Sequence, residues 1–149
     1  MIGEGGCLCG AVRYRFDAEP FGAGYCHCSM CRKSSGAPVI AAASVPRSSL
    51  VITQGEESLR RYRSSPTVTR VFCVTCGGQL FFDIPDEPDS IDVWLGSLDD
   101  PDAVPPTFHI YVADKVAWLD IDDGLPRYAQ GRKGAPPFPS TPLPEEPSS

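Results

Sequence analysis

Seven cysteines in a chain of 149 residues fall into three groups, Cys7 with Cys9, Cys26 with Cys28 and Cys31, and Cys73 with Cys76. The two outlying pairs together supply four thiols and the central group supplies three. Thiolates hold borderline-soft metals in tetrahedral sites, and the ligand count separates two kinds of chemistry. Four protein ligands close a structural site, whereas three leave a position for water or substrate. Three thiolates on a Zn²⁺ ion leave a net charge of −1, to which a fourth, incoming thiolate can still add. That describes a thiol-activating centre. An iron–sulfur cluster with an outside fourth ligand would use similar residues, and zinc is preferred for its thiolate affinity and absence of redox chemistry.

Local spacing argues for metal over other uses of cysteine. Cys73-Val74-Thr75-Cys76-Gly77-Gly78 lies between two strand-like runs, so the Cys-x-x-Cys reads as a zinc knuckle whose turn needs the glycines. A redox Cys-x-x-Cys usually opens a helix, which paired glycines oppose. Cys7 and Cys9 are two apart, a spacing that puts both side chains on one face of a strand; as a disulfide they would close a strained ring. An odd thiol count cannot pair fully within one chain. Arg32 and Lys33 follow the third ligand and are candidates to receive a substrate carboxylate, or else surface charges. His27, between two ligands, is expected to point away from the metal. His109 alternates with apolar residues, as either a hydrogen-bonded core residue or a substrate contact.

These groups have to be positioned by strands. In residues 6–16, Val12, Tyr14 and Phe16 alternate with Arg13, Arg15 and Asp17. Residues 17–24 read as a loop, 33–36 as a turn, and 38–44, 50–53 and 59–63 as short strands. Strands are also expected at 68–72 and 79–82 around the knuckle, at 91–95, and finally at 108–112 and 116–119. Few segments have helical length and period. Residues 1–130 are expected to form one metal-binding domain and 131–149 a Pro-rich disordered tail. Much of the proline (16 residues) lies in turns and that tail, so the folded part is richer in apolar residues than the overall 42%. The formal charge of −6 disfavours a phosphate backbone as partner. No run approaches a membrane span and the start lacks a signal pattern, so a cytoplasmic protein is expected.

Taken together, Gly-Gly-Cys-Leu-Cys-Gly-Ala-Val-Arg-Tyr, Cys-His-Cys-Ser-Met-Cys-Arg-Lys-Ser-Ser-Gly and Phe-Cys-Val-Thr-Cys-Gly-Gly-Gln-Leu resemble the family of glutathione-dependent formaldehyde-activating enzymes, which includes centromere protein V. The resemblance runs from about residue 5 to 128 and takes in Phe108-His109-Ile110 and Trp118. It implies a mostly β, zinc-bound Mss-four-like fold of short antiparallel sheets with few helices. It also implies two Zn²⁺ per chain, with Cys7, Cys9, Cys73 and Cys76 on a structural zinc and Cys26, Cys28 and Cys31 on a catalytic one. The implied activity is that of a carbon–sulfur lyase or synthase acting on a small thiol such as glutathione and a carbonyl compound such as formaldehyde. The rival is a non-catalytic, zinc-stabilised interaction module, for which a basic patch or tail would be the mark. This chain is acidic.

Overall fold

Short alternating runs punctuated by glycine and proline make short strands, and the computed structural model, which describes residues 3–132, consists mainly of them. The strands are β1 (Gly3–Gly6), β2 (Arg13–Phe16), β3 (Phe21–Cys26), β4 (Ile40–Pro46), β5 (Leu50–Gln54), β6 (Leu59–Ser65), β7 (Val68–Cys73), β8 (Gln79–Asp83), β9 (Ser90–Trp94) and β10 (His109–Ile110). One α-helix, α1 (Ser29–Ser35), follows β3 directly. A small sheet has the order β1-β2-β5, and a larger one the order β10-β3-β4-β9-β8-β7-β6. All pairings are antiparallel except that of β10 with β3.

The large sheet buries apolar residues on both faces, and its period of two sorts them. One face carries Ala43, Val45, Val71, Phe81 and Val93 against Val12, Tyr14 and Phe16 of the small-sheet region, forming the main core. Tyr14 sits edge-on to Phe81 with ring centres 5.0 Å apart, and its hydroxyl finds Ser97 Oγ at 2.6 Å. Each such buried side chain contributes about 1.5–3 kcal/mol. The opposite face carries Ile40, Phe82 and Trp94, packed with Cys26 and Cys31 into a second cluster. The three-thiol group is therefore built onto the reverse side of the core sheet.

Several expectations need correction. Cys7 and Cys9 are not on a strand: β1 ends at Gly6, and the chain turns through 7–12 with Cys7 N–H donating to Val12 O at 3.1 Å. Gly55 (φ +78°) supports that turn, since a Cβ there would lie 1.9 Å from Ala11 O. The expected loop at 17–24 becomes strand from Phe21, and the expected turn at 33–36 is the last turn of α1, closed by Gly36 at φ +73°. Seven residues are too few for a helical period to show and too few to be stable alone; burial of Cys31 holds the helix. Of 108–112 only His109–Ile110 is strand, and 116–119 is not strand at all, with Trp118 76% exposed. The expected tail lies, beyond Arg132, outside the described residues. No helix among the described residues is long and apolar enough to cross a membrane.

Candidate functional site

The two pairs of outlying cysteines converge. Cys7 and Cys9 come from the β1–β2 turn, Cys73 ends β7, and Cys76 lies in the turn leading to β8, where Gly77 N–H donates to Cys73 O at 2.8 Å. All four sulfurs lie within 4.8 Å of one another. Cys7 and Cys9 are 3.6 Å apart, and Cys9 and Cys73 3.9 Å. A tetrahedral tetrathiolate with metal–sulfur bonds of about 2.3 Å has sulfur–sulfur edges of about 3.8 Å, whereas a disulfide needs about 2.05 Å. The donor set and its spacing thus fit a closed zinc-type site.

Cys26, Cys28 and Cys31 form the second set, again within 4.8 Å of one another, with Cys26 and Cys31 sulfurs 3.5 Å apart. Cys26 ends β3, Cys28 is the N-cap of α1, and Cys31 lies in its first turn; the Cys28 sulfur accepts the Cys31 amide at 3.3 Å. Crowding makes the bare thiols unequal. Hydrogen bonds from Cys26 and Cys31 pull Cys28 down from the ordinary thiol range, while the same crowding, first from Cys28, pushes Cys26 up. Three thiols without a cation can share only one negative charge; a dication would take all three as thiolates. No fourth His, Cys, Asp or Glu joins the set among the described residues. Both sets are thus able to hold metal ions, and the ligand chemistry is consistent with zinc.

All three thiols line a cavity of about 320 Å³ on the second face of the large sheet. Its other lining residues include Ala42, Phe82, Asp92, Met30, Phe108 and Tyr111. Arg70 also lines it, and nothing in the sequence singled that residue out. The side chain is buried at 4% exposure and lies over the Phe82 ring at 4.9 Å. Its Nη1 and Nη2 are each 3.8 Å from Cys31 Sγ, Nη1 donates to Ser34 Oγ at 3.3 Å, and Nε donates to Ser64 Oγ at 3.1 Å. Among the described residues it has no carboxylate ion-pair partner. A buried guanidinium requires a counter-charge, and the thiolate group is the one it touches.

The other site residues expected from sequence fall elsewhere. Arg32 does not line the cavity; its Nε and Nη2 donate to the backbone oxygens of His27 and Asp114 at 3.3 and 3.2 Å. Lys33 is exposed and borders a separate groove with Tyr62. His109 has no exposed surface and does not line the cavity. It stacks on Tyr25, takes His27 Nε2 at 2.8 Å on its Nδ1, and reaches Asp123 Oδ2 at 2.8 Å with its Nε2.

That chain has a defined polarity. The Asp123 carboxylate accepts, so His109 Nε2 carries hydrogen and its Nδ1 accepts from His27 Nε2–H, an assignment made from the network. Burial lowers His27 to about 4, so His27 is neutral at pH 7. The chain turns His27 away from the thiols on either side of it and pins the backbone between Cys26 and Cys28. Asp123→Ala leaves a buried N–H without its acceptor, at a cost of about 1–3 kcal/mol. A melting temperature lower by roughly 3–10 °C is expected. Asp123→Asn, which keeps an acceptor oxygen, should recover most of it in the same thermal scan.

The profile of the family described as glutathione-dependent formaldehyde-activating enzyme matches residues 2–114, a span holding both thiol sets. A Halomonas elongata protein named as a candidate glutathione-dependent formaldehyde-activating enzyme is 29% identical over 130 residues, covering 82% of each chain. A Schizosaccharomyces pombe protein described as an uncharacterised lyase is 32% identical over 94 residues, 62% of this chain and 66% of its own. The crystal structure of a Rhodobacter sphaeroides protein aligns at 29% identity with a TM-score of 0.56, covering 64% of this chain and 87% of that one. With most of its length inside the family profile, the chain belongs to the glutathione-dependent formaldehyde-activating enzyme family.

Proposed function

We propose that this protein is a zinc-dependent enzyme that makes or breaks the carbon–sulfur bond of small thiol adducts, with glutathione and formaldehyde the pair its family's name supplies. The observation that carries the reading is the contrast between its two thiol sets. The four-thiol set has its ligands complete, while the three-thiol set lines a cavity large enough for a substrate. Zinc at the second set would hold a substrate thiol as thiolate at neutral pH. The chain's own residues then do the remaining work. The apolar walls exclude water, and Arg70 balances the charge of the thiolates beside it.

In the forward direction the substrate sulfur adds its electron pair to the aldehyde carbon, and the carbonyl π pair moves to oxygen, which must gain a proton. The product is the hydroxyalkyl thioether, and the reverse steps release thiol and aldehyde. We assign proton transfer to Tyr111, a residue of the cavity lining. Burial pushes it above the usual phenol value, and the charges of Cys26, Cys28 and Cys31 add to that, so it stays protonated. Tyr111 is also the one non-glycine residue with positive φ, +56°, among those described. Such outliers persist where surrounding structure enforces them. Tyr111→Phe should slow turnover by about 10²-fold while leaving metal content unchanged.

The reading is tested by following loss of free thiol from formaldehyde and a set of small thiols that includes glutathione, with the zinc-loaded protein, alongside X-ray absorption at the zinc edge. A catalysed rate with at least one thiol, together with added sulfur coordination on its addition that Cys28→Ala abolishes, is the expected result. Zinc coordination unchanged by any thiol would overturn it and favour an interaction module.

A further inference from the structure

The cavity over the three thiols is about ten times the roughly 30 Å³ that a molecule the size of water occupies, so it has room for a molecule larger than formaldehyde. Its walls are mainly apolar, with Met30, Val68, Phe82, Phe108 and Ile110 contributing. Arg70 is the cation among its lining residues, and that guanidinium already serves Cys31, Ser34 and Ser64. The other ionisable side chains facing the space, beyond the thiols and Tyr111, are the carboxylates of Asp92 and Asp114. Asp92 is half-buried and accepts a hydrogen bond from Ser44 Oγ; Asp114 is exposed.

A carboxylate entering this space would lose hydration, find no uncommitted cation among the lining residues, since Arg132 lies outside them, stacked over the Phe108 ring at 4.2 Å, and meet two carboxylates of its own sign. Arg32 offers no relief, because it is tied from outside to the backbone oxygens of His27 and Asp114, and Lys33 borders another groove. Apolar surface entering the cavity gains from burial at about 25 cal/mol per Å². We propose that the substrate of this cavity is a thiol, or thiol adduct, with an apolar body and no free carboxylate, so that glutathione is a poor fit. The inference rests on the thiol-binding reading of the same site. It makes Asp92 and Asp114 specificity-determining residues, selecting against anionic thiols by like-charge repulsion.

The full chain loaded with cobalt reports thiol binding through its sulfur-to-metal absorption band. Three probes are titrated: glutathione, its diethyl ester, which keeps the same thiol but masks both carboxylates, and phenylmethanethiol. The ester and phenylmethanethiol should each bind at least tenfold more tightly than glutathione. Asp114→Lys, a change at an exposed position, should improve glutathione about tenfold relative to phenylmethanethiol. Glutathione binding as tightly as its diester, or Asp114→Lys shifting all three probes equally, would overturn the proposal while leaving thiol binding intact. A band unmoved by every probe would remove the thiol-binding reading and this inference with it.

Discussion

Cys76→Ser should leave the chain unable to reach a cooperative fold, while Cys31→Ser should keep the fold and lose one metal ion. The asymmetry follows from what each thiol set ties together. Cys7 and Cys9 leave the small sheet, and Cys73 and Cys76 belong to the β7–β8 end of the large one, so the four-thiol site joins segments 64 residues apart in sequence. Cys73 has no exposed surface and sits in the main core, with Cys7 and Cys76 packed against it. Structural zinc contributes on the order of 10 kcal/mol, about as much as the whole stability of a domain of this size. The three-thiol site joins neighbours instead: β3, the N-cap of α1 and its first turn. Circular dichroism melts with metal analysis on both variants check the expectation, and a strong chelator should reproduce the Cys76→Ser state in the unaltered protein. Equal collapse of the two variants would erase the distinction between a structural and an open site.

Where the sequence was legible, a residue type or a period had one physical meaning. Val12, Tyr14 and Phe16 alternate with charged residues and are fully buried together, as a half-buried strand requires. The Cys73-x-x-Cys76 turn with trailing glycines occurs between β7 and β8, and Gly77 adopts φ +73° there. The helix was not legible because it is short and its N-cap is a thiol, which carries none of the usual capping signature of Ser, Thr, Asp or Asn. The run Val116-Ala117-Trp118-Leu119 misled because apolar composition does not guarantee burial. Asp123, which completes the histidine chain, sits in an irregular segment whose position depends wholly on tertiary contacts.

Arg70 is the most instructive omission. In Val68-Thr69-Arg70-Val71-Phe72 it reads as the solvent-facing residue of a half-buried strand. The paired strand held the missing signal. Leu80, Phe81 and Phe82 are all buried, which requires a sheet covered on both faces, and Arg70 is opposite Phe82 in register. A polar residue on β7 at that position then has to be buried as well, and a buried arginine has to have an anion.

From that requirement comes the second large expected effect: Arg70→Met should change the stability of the metal-loaded and metal-free states in opposite directions. With metal bound, three thiolates on a dication carry −1, and the guanidinium 3.8 Å from Cys31 Sγ is the balancing charge. Removing one partner of a buried ion pair costs about 3–5 kcal/mol, so metal affinity at this site should fall by about 10²–10⁴-fold. Without metal, at most one of the crowded thiols is ionised, and the guanidinium is a buried cation with a poor partner. Methionine fills much of the same volume without that penalty, so the variant lacking metal at this site should melt higher than the unaltered protein in the same state. Arg70→Lys keeps the charge but not the planar fork over Phe82, and should recover part of the affinity. Competition with a chromophoric chelator measures the affinities, and the four-thiol site serves as the internal control because Arg70 makes no contact with it. A guanidinium that merely packed against Phe82 would give the same loss in both metal states, and that result would separate Arg70 from the charge of the open site.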